Sequence, residues 1–315
     1  MVVNPRFDPV LQPTKVGKPL LSFESALFRR RNNSLAQSLT ALLRPSRTSF
    51  DPFFPPPRRA WGFQTVFSMN LLHDQLTQNE WTLLASLPAN DIEMARAALR
   101  GGAQGLKVHI NVEHFASGTR FGSFDEEHEK IAAIVAEARE AGASVGVVPG
   151  ANGAFASPDD FAQLKEIGVD YFDAYPFDCP AWALMQNDLD VMLAAYHGMP
   201  LDELAQYEDL GMTLCEASVM AHESYGSPLN ARDLATYSAL CQSVRAPVII
   251  PSQKKLERRD LTALRKTGAR GVLLGAIVLG RDAQSIQASL RTFSKSAHSG
   301  LRQIKEEEPG RMAEE

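Results

Sequence analysis

Residues 102–111 read GAQGLKVHIN, and this stretch decides the fold. Gly102 closes an amphipathic segment, and a short run of alternating apolar and polar side chains, 105–111, follows it directly. Strands that alternate with helices pair in parallel, because each crossover helix returns the chain to the same side of the sheet. The same unit occurs eight times between residue 81 and about residue 293. The sequence therefore predicts a single (β/α)8 barrel over residues 69–295.

Turn and cap residues support this division. Short apolar runs predict barrel strands at 82–87, 105–111, 144–149, 170–175, 190–196, 212–218, 247–252 and 271–277. Glycines are expected to end the intervening helices, since they adopt left-handed backbone cheaply: Gly102, Gly142, Gly168, Gly211 and Gly268. Helix starts are predicted at Ser123 with Glu126, at Ser157 before Pro158, and at Asn90 and Asn230.

Composition excludes several classes of protein. The longest apolar run, 271–280, is about half the roughly 18 residues that a membrane-spanning helix needs, so no membrane segment is expected. The three cysteines, Cys179, Cys215 and Cys241, form no C-x-x-C pair, which argues against a disulfide framework or a structural zinc site. A cytoplasmic location fits this pattern.

The first 68 residues differ from the rest. They contain ten basic residues against three acidic ones and carry the break PPPRR at 55–59, so we expect a disordered basic extension. A start at Met69 and an organellar transit segment are two alternative interpretations. The barrel itself is acidic, which disfavours binding of nucleic acid. Residues 296–315 are expected to form a flexible tail.

Polar side chains at the strand ends mark a candidate site. Strand alternation points Lys107, His109 and Asn111 into the barrel, and it gives Asp173 and Glu216 the same orientation on their own strands. Active sites of such barrels lie at the C-terminal ends of the strands. We therefore expect Lys107, Asp173 and Glu216 to meet there as catalytic residues. Either carboxylate would act as general base, and Lys107 would stabilise an oxyanion or return the proton.

Side chains in one barrel layer come from alternate strands, so Gly275 of the eighth strand falls in the same layer and leaves a gap for a ligand. His109 and Asn111 are expected to orient that ligand. The loop 112–123 is interpreted either as a lid, with Arg120 as an anion-binding group, or as a solvated insertion. No metal site is expected, because no H-x-H or H-E-x-x-H spacing is present and Lys107 would repel a cation.

The last quarter of the chain resembles a known superfamily. The strand Pro247-Val248-Ile249-Ile250, the pair Gly268-Ala269 and the run 271–277 are similar to the end of the phosphate-binding barrels. That superfamily includes histidine- and tryptophan-biosynthesis isomerases, thiamine phosphate synthase and sugar-phosphate epimerases. The resemblance implies that Gly275 and Ala276 would donate backbone N–H groups to a substrate phosphate. A Gly-Gly turn is usual after strand seven, but Ser252, Gln253 and Lys254 stand here, and Lys254 would replace some backbone donors.

These features together predict a cofactor-independent isomerase, epimerase or lyase that acts on a small phosphorylated, sugar-like and therefore anionic substrate. The turn at 150–153 lacks the G-x-G-x-x-G spacing of a dinucleotide site. A Schiff-base aldolase that uses Lys107 is one alternative, although nearby carboxylates oppose the neutral amine that it needs. A non-catalytic ligand-binding barrel, acting as sensor or scaffold, is another. The oligomeric state is left open, with a homodimer as one alternative.

Overall fold

A closed barrel of eight parallel strands forms the centre of the molecule. The computed structural model describes residues 71–79 and 81–306, with side chains up to residue 295. The barrel strands are Thr82–Ser86, Gly105–His109, Ser144–Val148, Tyr171–Ala174, Asp190–Tyr196, Leu214–Ser218, Val248–Pro251 and Gly271–Leu274. Each strand pairs in parallel with its sequence neighbours, and the first pairs with the last. The predicted fold is confirmed, and the predicted basic extension lies outside the described residues.

Helices surround the barrel. They are Leu71–Gln78, Ile92–Gly101, Phe124–Glu140, Pro158–Ile167, Ala181–Leu184, Leu201–Asp209, Ala231–Ser243, Asp260–Arg265, Ala276–Leu279 and Ala283–Glu306. The backbone of residues 296–306 thus continues the last helix beyond the expected boundary at 295. In the part of the chain that the structure describes, no helix is long and apolar enough to cross a bilayer.

Most of the predicted helix starts and ends are confirmed. The five predicted helix-ending glycines all have positive φ angles. Ser123, Ser157 and Asn230 each take part in a capping box at the predicted helix start. Asn90 as an N-cap is wrong by one residue: Asp91 caps the helix, and its Oδ1 accepts a hydrogen bond from the N–H of Met94 at 2.9 Å.

Two hydrophobic layers follow from strand alternation. The outward-facing side chains of the strands, such as Leu106 and Val108, pack against the helices. The inward-facing side chains form a second cluster that contains Tyr171, together with Leu72 and Leu76 of the N-terminal helix. Both leucines are fully buried. Helix Leu71–Gln78 therefore closes the N-terminal end of the barrel, which leaves the C-terminal ends of the strands to form a site.

Two short hairpins extend the C-terminal end of the barrel. The predicted lid loop forms an antiparallel pair, Val112–His114 with Thr119–Phe121. A smaller pair, Gly150–Ala151 with Ala154–Phe155, follows the third barrel strand. The first hairpin brings Phe121 inward, where it is buried against His109. Its tip residue Phe115 remains on the outside of the molecule.

Candidate active site

Lys107 lies at the centre of the site. Its Nζ is 2.7 Å from Oδ2 of Asp173 and 2.5 Å from Oε2 of Glu216. The three residues are only 6%, 3% and 6% exposed, respectively. They come from barrel strands two, four and six, as the alternate-strand rule predicts. The sequence thus predicts this convergence correctly, and the result is a buried cation held between two carboxyl groups.

The protonation of this cluster follows from its burial. Burial raises the pKa of Glu216 to about 8, and the negative charge of Asp173 acts in the same direction. Burial alone would lower the pKa of Lys107, but attraction to Asp173 and Glu216 outweighs it and raises that pKa above its ordinary value. At neutral pH, Glu216 therefore holds a proton while Lys107 keeps its charge. The neutral carboxylic acid of Glu216 therefore lies next to the ammonium group of Lys107.

Two histidines lie beside the cluster. His109 is fully buried, and its ring is 4.6 Å from the ring of His114 and 4.7 Å from that of Phe121, between centroids. Burial lowers the pKa of His109, with further lowering by the charges of His114 and Lys107. Burial, and then the charge of Lys107, lowers the pKa of His114 to about 4. Both imidazoles are therefore neutral at physiological pH, and they can donate or accept a hydrogen bond.

These residues border a cavity of about 660 Å³ at the C-terminal end of the barrel. Three side chains along it carry enclosed polar atoms that have no hydrogen-bond partner in the described protein: Ser86 Oγ, both ring nitrogens of His109, and Asp173 Oδ1. An unpartnered buried polar atom costs about 1–3 kcal/mol, so such atoms are rare outside functional sites. Their concentration at one cavity points to a polar ligand.

Four of the predicted substrate-binding residues also line this cavity: His109, Ser252, Gln253 and Gly275. The hydroxyl oxygen of Ser252 accepts a hydrogen bond from the N–H of Gly275 at 2.8 Å. A β-carbon on Gly275 would meet nothing closer than 3.8 Å, so the predicted gap in the layer is present. The eighth strand ends at Leu274, earlier than the predicted end at residue 277, because the helix Ala276–Leu279 begins there.

The remaining four predicted binding residues are not among the described residues that line the cavity: Asn111, Arg120, Lys254 and Ala276. Strand two ends at His109, and Asn111 has a φ of 54°, so strand alternation no longer applies to it. Its Nδ2 donates to the carbonyl of Pro149 instead. Arg120 is exposed on the first hairpin, opposite Glu113.

Lys254 is committed to a separate ion pair. It is 3% exposed, and its Nζ lies 3.2 Å from Asp233 Oδ2 and 2.8 Å from Ser227 Oγ. Asp233 belongs to the capping box of helix Ala231–Ser243. The lysine thus anchors the loop after strand seven to this helix, and it is not among the described residues that line the cavity. Lys107 is the one Lys or Arg among the described lining residues.

Sequence reasoning missed Asn90, which positions His109. The Nδ2 of Asn90 donates to the carbonyl of His109 at 2.7 Å and to Glu127 Oε2 at 3.1 Å, and its Oδ1 accepts the N–H of His109 at 3.2 Å. Glu127 in turn accepts the N–H of Gly122 at the base of the first hairpin. The usable signal was the position of Asn90 just beyond the first strand, at the functional end of the barrel.

A hydrogen-bonded group at the cavity wall was also missed. Ser218 Oγ lies 2.9 Å from the hydroxyl of Tyr175 and accepts from Nε2 of Gln253 at 2.8 Å. The same Nε2 donates to the hydroxyl of Tyr225. Ser218 lies two residues beyond Glu216, so strand alternation places it on the same face. Within the described residues, no group of three or more His, Cys, Asp or Glu could hold a metal ion.

No protein-family model matches this chain, and no curated protein matches it in sequence. Thiamine phosphate pyrophosphorylase from Pyrococcus furiosus matches in fold, with a TM-score of 0.53 and 17% identity over 71% of this chain and 99% of that chain. Tryptophan synthase from Mycobacterium tuberculosis gives 0.55 and 16% over 73% and 97%. A mutant tryptophan synthase alpha-subunit from Pyrococcus furiosus gives 0.54 and 14% over 68% and 98%. The predicted resemblance to the phosphate-binding barrels is confirmed at the level of the fold.

Proposed function

We propose that this protein is an enzyme that moves a proton on a small carbonyl or hydroxyl compound, without a redox cofactor. The observation that carries the proposal is the contact of Lys107 with both Asp173 and Glu216, buried at the functional end of the barrel. Burying charged groups carries a desolvation cost, and a well-packed apolar core is often as stable, so stability alone does not explain this cluster. Perturbed groups in a cleft are instead typical of catalytic sites.

The three residues have distinct roles in this proposal. The carboxylate of Asp173 takes a proton from a carbon next to a carbonyl group, and the carbonyl oxygen gains the negative charge. The ammonium group of Lys107 stabilises that oxyanion. Glu216, which is protonated at neutral pH, delivers a proton to the oxygen or to the neighbouring carbon. Return of a proton to a different position or face completes an isomerisation or epimerisation, and loss of a β-substituent completes a lyase reaction.

The finer part of the proposal is a sugar-like substrate that carries a phosphate. It is supported by the name of one fold neighbour, a thiamine phosphate pyrophosphorylase, and by the open space at Gly275 beside Ser252. Because Arg120 and Lys254 do not line the cavity, the phosphate would bind at the turn after the eighth strand, where Gly275 and Ile277 line the cavity and the N–H of Gly275 is already donated to Ser252 Oγ. Imine formation on Lys107 is disfavoured, since its raised pKa keeps the amine protonated.

Substitution of Lys107 tests the catalytic part. Lys107→Met keeps the length of the stem and removes the ammonium group, so turnover should fall by roughly 100-fold or more while the protein stays folded. Lys165→Met, which breaks an exposed pair with Asp188, is the matched control and should keep full turnover. Full turnover in Lys107→Met would remove the basis of the proposal.

A thermal-shift screen identifies the substrate class. The panel pairs aldose and ketose phosphates with the same sugars lacking phosphate. A ligand that binds the folded state raises the melting temperature by mass action, so a phosphorylated substrate should raise it more than its unphosphorylated partner. Equal shifts within each pair would exclude a phosphate-binding site and would not affect the acid–base mechanism.

A further inference from the structure

Six ring-bearing side chains surround the entrance of the cavity. We call them the mouth rings, and they are Phe115, Tyr175, Phe177, Tyr196, His222 and Tyr225. They belong to loops and strand ends after the second, fourth, fifth and sixth barrel strands. The proposed proton transfer at Lys107 uses none of them, so their arrangement requires a separate explanation.

The mouth rings form two groups of similar build. In the first, Phe115 stacks on His222 with 4.9 Å between ring centroids and 13° between planes, and Tyr225 meets both rings edge-on. In the second, Phe177 stacks on Tyr175 at 5.2 Å and 8°, and Tyr196 meets Phe177 edge-on. Each group therefore presents a stacked pair of rings, and the outer ring of each pair is a phenylalanine.

The two groups are joined at their inner ends. The hydroxyls of Tyr175 and Tyr225 both belong to the hydrogen-bonded group built on Ser218 and Gln253. At the outer end, Phe115 and Phe177 are each 68% exposed. The groups thus share a fixed polar base and are apolar at the opening. Two large aromatic side chains that are this exposed at one entrance favour a binding surface there.

The charges at the entrance are mainly negative. Glu113, Asp178 and Glu223 line the cavity, and each is within two residues of a mouth ring in the sequence. Asp178 is held in place, since its Oδ1 accepts the N–H of Asn152. Arg120 lies opposite Glu113 on the first hairpin, and Nη2 of Arg281 donates to the carbonyl of Ala116 beside Phe115, but neither arginine is among the described residues that line the cavity. Deeper inside, the charge of Lys107 is balanced by the carboxylate of Asp173, with which it forms an ion pair.

Rings and carboxylates in combination favour one kind of ligand group. The face of an aromatic ring carries negative potential and attracts cations, with the strongest effect where water is excluded. Carboxylates at the same entrance add to that attraction and oppose anions. Oδ1 of Asp173, which is buried below the entrance and has no hydrogen-bond partner among the described residues, indicates that the cavity accepts a ligand.

We propose that the mouth rings bind an organic cation, an alkylated ammonium group carried by the substrate or by a second ligand of the same cavity. This proposal goes beyond the proton-transfer function and does not depend on it. The alkyl groups of such a cation would contact the faces of Phe115 and Phe177, and Glu223 and Asp178 would supply the counter-charge.

Choline and its neutral isostere 3,3-dimethylbutan-1-ol test the proposal, because the two differ in charge and hardly in shape. Isothermal titration of the full chain should show at least tenfold tighter binding of choline. Phe177→Leu keeps an apolar side chain but removes the ring, so it should weaken choline binding several-fold and leave binding of the isostere unchanged. Phe177 is exposed, so this variant is expected to fold.

Two further variants separate charge from general effects. Glu223→Gln should weaken choline binding, whereas Glu166→Gln, exposed on helix Pro158–Ile167, should leave it unchanged. Lys107→Met should still bind choline even though turnover is lost, so a failed mechanism and a failed cation site give different results. Equal affinity for both probes, or absence of saturable choline binding, would each overturn the proposal.

Discussion

The ring of Tyr171 lies against Gly146 on the neighbouring barrel strand, and a β-carbon at position 146 would overlap the ring. Gly146 is also the register partner of Lys107 on the other side. The absent side chain thus lets the Tyr171 ring fill the barrel interior directly beneath the charged layer. Burial raises the pKa of Tyr171 above its ordinary value, so the ring remains neutral there.

Gly146→Ala should therefore be strongly destabilising, because the neighbouring ring and backbone cannot both keep their positions. Overpacking of this kind costs about 1–3 kcal/mol. Gly275→Ala is the matched control: a β-carbon there meets only ordinary contacts, and stability should change little. Urea denaturation of both variants provides the comparison. Equal stabilities would show that the layer beneath Lys107 repacks freely.

The N-terminal helix sets a boundary for truncation. Removal of residues 1–68 should leave a barrel that unfolds cooperatively, since the helix that closes it begins at Leu71. Removal of residues 1–79 takes Leu72 and Leu76 out of the interior cluster, and each buried leucine is worth about 2–5 kcal/mol. Thermal melting of the two truncated proteins distinguishes them. A precipitating 69–315 protein would contradict the predicted domain boundary.

The raised pKa of Glu216 predicts how stability depends on pH. The unfolded chain loses this proton near the ordinary value of 4.5, but the folded protein keeps it until about pH 8. As pH rises through this window, folding is penalised for the wild type and not for Glu216→Gln, which cannot ionise. The stability of the variant relative to the wild type should therefore increase from pH 5 to pH 8 and then level off. A pH-independent difference would show that Glu216 is ionised throughout.

Asn90 should act on the site through His109. Asn90→Ala removes two hydrogen bonds to the backbone of His109 and leaves those buried groups unpaired, at a cost of about 2 kcal/mol. Hydrogen exchange at the His109 amide should accelerate in this variant. Asn230→Ala, which loses an N-cap on the far helix Ala231–Ser243, should cost about 1 kcal/mol and leave exchange at His109 unchanged. If the His109 amide remained protected from exchange in Asn90→Ala, its protection would be due to the strand alone and not to Asn90.

Strand alternation was sufficient to predict the charged layer, because the period of two is a local property of extended backbone. It places Lys107, Asp173 and Glu216 on one face, in agreement with the contacts of Lys107 to both carboxyl groups. It failed at Asn111, two residues past the end of its strand, where the chain turns through a left-handed conformation. Similarly, the run after residue 274 reads as strand from its apolar pattern, although it turns into a helix at Ala276.

The partners of loop side chains could not be predicted from local pattern. Lys254 lies in a turn with no periodicity, and its choice of Asp233, 21 positions earlier, depends on how the loop and the helix meet in space. The mouth rings are similar in this respect. Phe115 and His222 are more than a hundred positions apart, and nothing in either loop alone indicates that the rings stack.

Helix Leu71–Gln78, which closes the far end of the barrel, has a consequence for the order of events in a catalytic cycle. Substrate and product must use the same opening at the C-terminal end of the barrel, and a ligand bound against Lys107 prevents a second ligand from reaching that residue. In the proposed reaction, the product would therefore have to leave before the next substrate could reach Lys107.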